Sequence, residues 1–196
     1  MRTRRPRPLG ALSIGLTLAV VGCATFQGLA ALRRVDFRLA GSEGTRLAGI
    51  DITRVRSYED VGAADLVRLG AALSQGRLPV ETVLQVRADN PADNVEARLL
   101  RMDWTLLLDS RETVHGGMDR EVRLPVGQAV DVPVRVELDL LEFFDEPLPA
   151  LVDLALALSG SGDRQRVELE ALPTIETRLG PIRYPEPIRI RFDVGG

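Results

Sequence analysis

Side chains able to do acid–base or metal chemistry are few in this chain and widely separated. The only imidazole belongs to His115, in the stretch Val114-His115-Gly116-Gly117, and the one cysteine lies far from it. A nucleophilic triad or a zinc site needs several such groups at fixed spacing. We therefore expect His115 to be a solvated turn residue rather than a catalytic or metal-binding group.

Carboxylates can act without histidine, and three groups of them lie close together in sequence. The groups are Glu59 with Asp60; Asp89 with Asp93 and Asn94; and Glu142 with Asp145 and Glu146. The first falls where a helix is predicted to begin, and acids there complement the helix dipole. The second offers a loose calcium site, without the ligand order of an EF-hand. The third is not set in the aromatic-rich cleft that we would expect around a paired-carboxylate glycosidase site. We expect a protein with no catalytic residues, no metal and no cofactor.

Cys23 is the one side chain whose position indicates a specific modification. Four arginines precede it, at positions 2, 4, 5 and 7, and residues 9–21 carry no charge. A bilayer span needs about 20 apolar residues, so this stretch has the length of a signal peptide. The residues Val20-Val21-Gly22-Cys23 resemble the lipobox of bacterial lipoproteins. That resemblance implies cleavage before Cys23 and a diacylglycerol on its thiol.

This interpretation divides the chain into a signal peptide at 1–22, a tether at 23–34 and one domain at 35–196. It places the protein in the cell envelope, with the membrane as partner through the lipid anchor. Ala24 follows the cysteine, which by similarity to enterobacterial sorting implies the outer membrane, facing the periplasm, if the organism is Gram-negative. Two alternatives stay open: an ordinary secretory signal with an incidental cysteine, and an uncleaved anchor.

Charge and cysteine content narrow the class of protein. All 25 basic residues are arginine, and they alternate with acids without forming a basic cluster. Without residues 1–22, which hold four arginines and no acid, 21 arginines face 28 acids and the formal charge moves from -3 to about -7. Such a surface disfavours nucleic acid and other anionic partners. One cysteine excludes a disulfide framework, so a packed core must stabilise the domain.

Alternation of apolar and charged residues with a period of two dominates from residue 35 onward. It covers 35–39, 80–88, 95–99, 100–108, 130–138, 152–158, 167–169 and 188–194. One apolar and one charged face per strand predicts antiparallel sheets with one packed and one wet side. Two such sheets closing face to face predict an all-β sandwich. The parity changes near Leu99–Arg101, which predicts a β-bulge, and Pro133 predicts an edge strand.

Turn signals separate these strands. They occur at residues 41–44, at Asn90-Pro91, at Gly116-Gly117 and at residues 159–162. The stretch Tyr184–Pro187 predicts a rigid turn into the last strand, with a recognition loop as the alternative.

One segment interrupts the alternation and predicts an inserted helix over about 58–75. Leu66, Leu69 and Leu73 lie there at helical spacing. Ser57 with Asp60 resembles a capping box, and Gly76 suits the position just past a helix end. We expect this helix across one end of the sandwich, and a second, short helical turn around 138–144.

Five segments follow one another along the chain: VLQVRADNP with Asn90 and Pro91, LLRMDWTLLLDSRETVHGG, AVDVPVRVELDLLEFF, LALALSG and ALPTIETRLGPIRYPEPIRI. Their order resembles that of the late embryogenesis abundant type 2 domain, also called the water stress and hypersensitive response domain. The resemblance implies an immunoglobulin- or fibronectin-like antiparallel sandwich, without known catalytic residues, and a role in desiccation or stress tolerance. Independently of the family, proline holds the preceding residue extended and removes a ladder donor. We therefore expect Asn90 and Pro91 to be structural.

These patterns leave two functional hypotheses of different kinds. The first is a stress-associated envelope protein that binds or shields other molecules without transforming them. The second is an envelope binding module that holds a lipid or a partner protein and has no direct stress role. An enzyme is a third hypothesis, which the missing chemistry disfavours.

Overall fold

Two antiparallel sheets make up most of the domain. A computed structural model describes residues 30–108, 110–161, 165–177 and 179–194. Within them the strands are β1 (Asp36–Leu47), β2 (Ile50–Asp51), β3 (Pro79–Asp89), β4 (Ala97–Leu108), β5 (Arg111–Met118), β6 (Val122–Leu124), β7 (Ala129–Asp139), β8 (Gln165–Thr177), β9 (Gly180–Arg183) and β10 (Ile188–Val194). One sheet has the order β2-β1-β3-β7. The other has the order β10-β8-β4-β5, with β6 beside the start of β4 and β9 beside the end of β8.

The period-two patterns place the core between the sheets. In β3 and β7 the odd and even positions alternate between buried and more exposed side chains, as predicted. Buried aliphatic side chains from both sheets, together with Trp104, form one continuous cluster. The all-β sandwich prediction is therefore confirmed. Burial of this apolar surface is the main favourable term in folding a domain without disulfides.

Strand pairing gives the sandwich two distinct ends. At one end, Asp36 of β1 and Ala129 of β7 both lie opposite Asp89 of β3. The turn that follows Asp89 leads into β4, so this end also holds the start of β4; we call it the Asn90 end. The other end is the helical end, where β1 finishes and β3 begins, at Leu47 opposite Val80.

Two irregularities in the sheets follow the sequence predictions. The register of β4 against β8 shifts between Leu99 and Arg101, which confirms the predicted bulge. Pro133 lies in β7, at the edge of its sheet, as expected because proline cannot donate to a ladder.

Two predicted turns are instead parts of strands. Residues 41–44 belong to β1, which bulges there rather than turning back. The chain reverses later, at Ala48 and Gly49, both with positive φ, the geometry of a tight hairpin turn. Gly116 and Gly117 lie within β5, where Gly116 pairs with Trp104 of β4. Glycine at position 116 makes room for the indole ring, so its role is packing and not chain reversal.

The predicted inserted helix forms in two pieces. A 3₁₀ turn covers Tyr58–Asp60, and helix α1 covers Ala63–Ser74 at the helical end. The Asp60 carboxylate accepts hydrogen bonds from the Ser57 N–H at 3.1 Å and hydroxyl at 3.3 Å, so the capping contact belongs to the 3₁₀ turn. Gly76 ends α1 as predicted, with φ of 69°. The short turn predicted near 138–144 is helix α2 (Leu140–Phe143).

The strand predicted at 152–158 is wrong, because this segment is helix α3 (Leu148–Leu158). Leucine alternates there with alanine rather than with polar residues, so almost every face is apolar. Both residues favour helix, and a helix that is apolar all round is stable when buried. The helix packs against β1, β8 and the 3₁₀ turn. Gly160, with φ of 84°, follows its end, and the Ser161 N–H donates to the Leu156 carbonyl at 2.9 Å.

The domain begins within the segment assigned to the tether. Residues 30–33 form a helical turn whose Ala31 and Leu32 are buried. The Asn94 side-chain amide donates to the Ala31 carbonyl at 2.8 Å, and Arg34 pairs with Asp93. The chain therefore joins the sandwich at its Asn90 end.

Candidate functional site

Cys23, the predicted lipidation site, lies outside the described residues, as do the whole of the predicted signal peptide and residues 23–29. Among the helices that the structure describes, none has both the length and the apolar character to cross a membrane.

Asn90 is a buried polar centre that joins the β3–β4 loop to the end of β6. Its side chain is 3 % exposed. Its amide group donates to the Val95 carbonyl at 3.0 Å and to the Leu124 carbonyl at 2.8 Å. Its amide oxygen accepts from Asn94 at 2.7 Å. The side-chain amide donates to one carbonyl of its own loop and to one carbonyl at the end of β6. Asn90 is thus the cross-link of its end of the sandwich.

The residues of the calcium hypothesis have other partners. Asp89 accepts two hydrogen bonds from Arg38, at 2.8 and 3.2 Å. Asp93 pairs with Arg34, and the Asn94 amide is directed to Asn90 and to the Ala31 carbonyl. Within the described residues, no three His, Cys, Asp or Glu side chains come together as a possible metal site.

His115 is exposed but lies in the middle of β5, not in a turn. Its Nδ1 atom is 2.9 Å from the Thr105 hydroxyl of the neighbouring strand. The prediction of a turn is wrong because the two glycines after His115 continue the strand. An exposed cross-strand hydrogen bond of this kind needs no catalytic explanation.

The remaining carboxylate groups do not converge. Glu142 is exposed in α2, and Asp145 and Glu146 are exposed in the connection to α3. Glu59 is exposed in the 3₁₀ turn beside the capping Asp60. At the last predicted turn, Tyr184 is buried and its N–H donates to the Pro173 carbonyl at 2.8 Å, while residues 185–187 are exposed.

Arginine–carboxylate pairs between neighbouring strands or their flanking residues cover the outer faces of both sheets. We call these the cross-strand pairs. They are Arg38–Asp89, Arg87–Asp131, Arg98–Glu121, Arg98–Glu176, Arg183–Asp103, Arg189–Glu170 and Arg191–Glu168. Arg87 is bidentate, with its Nε and Nη2 atoms 2.8 and 2.9 Å from the two oxygens of Asp131. These pairs were not predicted from the sequence, because they depend on strand register. The alternation of arginines and acids along the strands is the signal that could have indicated them.

Hydrogen bonds within some of the cross-strand pairs favour the charged form of particular members. The hydrogen bond from Arg87 lowers the pKa of Asp131, and hydrogen bonds from Arg98 and then Arg123 lower the pKa of Glu121. The pKa values of Arg87, Arg98 and Arg191 are raised, chiefly by their hydrogen bonds to the partner carboxylates. A carboxylate with a lowered pKa stabilises the folded state above its ordinary pKa and loses that effect as the pH falls.

The interior offers very little space. An apolar cavity lies between the sheets, lined by Phe37, Val86, Leu99, Met102, Val132, Leu169, Ala171, Pro173, Ile188 and Ile190. The space open to the centre of a water-sized sphere is about 10 Å³, which is what a single water molecule needs. Among the described residues, every fully buried side-chain nitrogen and oxygen has a hydrogen-bond partner.

Comparisons with known proteins give structural likenesses only. No protein-family model matches the chain, and no curated protein matches it. A crystal structure of a protein from Archaeoglobus fulgidus has a TM-score of 0.37 and 14% identity, covering 60% of this chain and 86% of that chain. The solution structure of a protein provisionally named late embryogenesis abundant has a TM-score of 0.41 and 11% identity, covering 94% of this chain and 86% of that chain. Neither likeness assigns a family or a function.

Proposed function

We propose that this protein is a lipid-anchored, non-catalytic protein of the bacterial cell envelope that contributes to tolerance of water loss by binding or shielding other molecules. The observation that carries the anchor is the position of Cys23. The only cysteine of the chain follows an arginine-rich start and an uncharged stretch of signal-peptide length. Two or three acyl chains hold a protein stably on a bilayer, whereas one does so only marginally.

The absence of catalysis is supported by where the polar groups lie. The carboxylates that could act as an acid–base pair are dispersed over exposed loops, or are engaged by arginines such as Arg34 and Arg38. A general acid or base needs a neighbour of matched pKa within hydrogen-bond reach of a bound substrate. The cavity between the sheets is too small to bind one.

The role in water loss is supported by the order of five sequence segments that resembles the water stress domain, and by the cross-strand pairs. Exposed ion pairs contribute little to stability in bulk water, because water screens and solvates the charges. Coulomb attraction grows as the dielectric constant falls. Pairs such as Arg87–Asp131, already in hydrogen-bond contact, would therefore strengthen as water is withdrawn, and would hold the strands together under dry conditions.

Removing cross-strand pairs is expected to harm the protein in the dry state more than in solution. The test variant combines Arg87→Gln, Arg98→Gln and Arg191→Gln. Infrared spectra of dried films should show a several-fold larger loss of β-sheet than in the wild type, with little change in solution. The matched control combines Arg56→Gln, Arg120→Gln and Arg135→Gln, which lose the same charge at positions without an ion pair in the described part. Equal losses of β-sheet in the two dried variants would contradict the proposed role of the cross-strand pairs in the dry state.

Survival on drying tests the proposed role in the cell. A deletion strain dried and rehydrated beside its parent is expected to lose viability several-fold more. Wild-type protein supplied in trans should restore survival, and the Cys23→Ala variant should not, because it would lack the lipid that holds the protein at its place of action. Equal survival of the deletion strain and its parent would contradict the proposed role.

The alternative of a module that binds lipid between its sheets receives no support from the interior. Pockets for organic ligands generally measure hundreds of Å³, whereas the apolar cavity has room for about one water molecule. The other alternative is a module that holds a partner protein on its surface and has no direct stress role. It predicts a crosslinked partner together with equal survival of the deletion strain and its parent.

A further inference from the structure

Three of the four most exposed large apolar side chains among the described residues lie at one end of the sandwich. Among the described residues, the large apolar side chains with the greatest exposure are Val67 at 72%, Leu179 at 61%, Val95 at 48% and Val126 at 41%. Val67 lies on α1 at the helical end. The other three lie on loops at the Asn90 end: Val95 between β3 and β4, Val126 between β6 and β7, and Leu179 between β8 and β9.

These three loops are neighbours. The Asn90 amide links the first two through the Val95 and Leu124 carbonyls, and the Asn90 N–H donates to the Gln128 carbonyl at 3.0 Å. The third loop follows the end of β8, which pairs with the start of β4 at Leu99 opposite Ile175. Val95, Val126 and Leu179 therefore belong to one end surface, which we call the apolar tip.

The chain leading to Cys23 joins the domain at this same end. Residues 30–34 pack there, through the Asn94 contact with the Ala31 carbonyl and the Arg34 pair with Asp93. The seven residues from Cys23 to position 30 span at most about 25 Å when fully extended. Val67 lies at the far end of strands of 11 or 12 residues, a length of about 35–40 Å.

Most acids near the apolar tip are paired within the domain. Asp89 and Asp93 pair with Arg38 and Arg34, and Glu121 and Glu176 both contact Arg98. Glu96 beside Val95, and Asp36, are exposed and form no ion pair within the described residues. An apolar tip without a cluster of basic residues suits the interface of an uncharged, zwitterionic bilayer, where attraction depends on buried apolar area rather than on anionic lipid.

We propose that the apolar tip contacts the lipid headgroup layer, so that Val95, Val126 and Leu179 touch the bilayer and the helical end points away from it. This inference rests on the proposed lipid anchor at Cys23, which would hold the tip within reach of the membrane. A second contact at the tip would fix the orientation of the domain, which a single lipid attachment alone does not determine.

Dyes placed at single positions test the orientation. Val95→Cys, Val126→Cys and Leu179→Cys are introduced one at a time into the full-length chain, with Val67→Cys as the control. Cys23 is the only native cysteine, so lipidation leaves the introduced thiol as the one free site for a fluorophore. The lipidated proteins are reconstituted into phosphatidylcholine vesicles containing phospholipids with nitroxide-labelled headgroups, which quench fluorophores near the surface.

The expected result is quenching several-fold stronger at positions 95, 126 and 179 than at position 67. If mass spectrometry shows the lipid on Cys23 but all four positions are quenched equally, the orientation is overturned and the anchor stands. If Cys23 carries no lipid, the anchor fails and the inference fails with it. Quenching that appears only when anionic lipid is present would also contradict the inference, because the inference places apolar side chains, and not basic ones, against the bilayer.

Discussion

Asn90→Ala should lower the free energy of unfolding by about 3 kcal/mol, because it leaves buried carbonyl groups without donors. The side chain donates to the Val95 and Leu124 carbonyls and accepts from Asn94. Alanine at this position makes none of these three hydrogen bonds and also leaves a small void. Urea denaturation of the purified protein measures the change.

Two further variants test whether the lost hydrogen bonds of Asn90 cause the loss of stability. Asn94→Ala removes a partly exposed amide and should cost clearly less than Asn90→Ala. Asn90→Asp keeps the shape but sets a carboxylate against two carbonyl oxygens, so its pKa should be raised. That variant should then be more stable at about pH 4 than at pH 7 relative to the wild type, since the protonated acid can donate again. Equal stability of wild type and Asn90→Ala would refute the cross-linking role.

Gly116→Ala should destabilise the domain by about 2–3 kcal/mol through overpacking of the core. A Cβ atom at this position would lie 2.7 Å from Cη2 of Trp104 and nearer still to Cζ2. Trp104 is only 5 % exposed and belongs to the core cluster. Unfolding is followed by circular dichroism, which also serves for a variant that lacks Trp104, the only tryptophan in the chain.

The adjacent glycine gives a matched control for this prediction. At Gly117 the nearest atom to an added Cβ is the Met102 carbonyl oxygen at 3.7 Å, an ordinary contact. Gly117→Ala should therefore change stability little. Combining Gly116→Ala with Trp104→Leu should cost less than the two changes added together, because the smaller side chain frees the space. Equal effects of the two alanine variants would contradict the packing role.

Strand positions could be predicted from sequence because a period of two is a local property. Each run of alternating residues fixes its own buried face without knowledge of its partner. The bulge at Leu99–Arg101 and the edge position of Pro133 were predictable for the same reason, since both depend on local parity or backbone chemistry.

Helix α3 shows where the same reasoning fails. The leucine and alanine alternation at 152–158 has a period of two only if alanine counts as polar, and tertiary burial on several sides removes that distinction. Proline at 149 near the start and glycine at 160 after the end were the available signals of a helix. The predicted turn at Gly116 was wrong for a different reason. In the sequence, a glycine that packs beneath an indole ring looks the same as a glycine in a turn.

Some features of the candidate sites could likewise be predicted from a local motif, whereas others depend on how distant strands pair. The lipobox-like residues around Cys23 form a local motif, so the sequence alone predicts a lipid there. The cross-strand pairs, the dual role of Asn90 and the gathering of Val95, Val126 and Leu179 depend on register and chain reversal. Pairing over long sequence separations leaves no short-range signal, so these features emerge only once the strands are aligned.

The proposed lipid on Cys23 is the feature on which the proposed location, orientation and role all depend. Its most direct test is growth of the producing bacterium with a clickable palmitate analogue, comparing the wild type with Cys23→Ala. We predict that the wild type is labelled and sediments with the membranes, while Cys23→Ala takes up no label. An unlabelled wild-type protein, or equal labelling of the two, would contradict the lipid anchor.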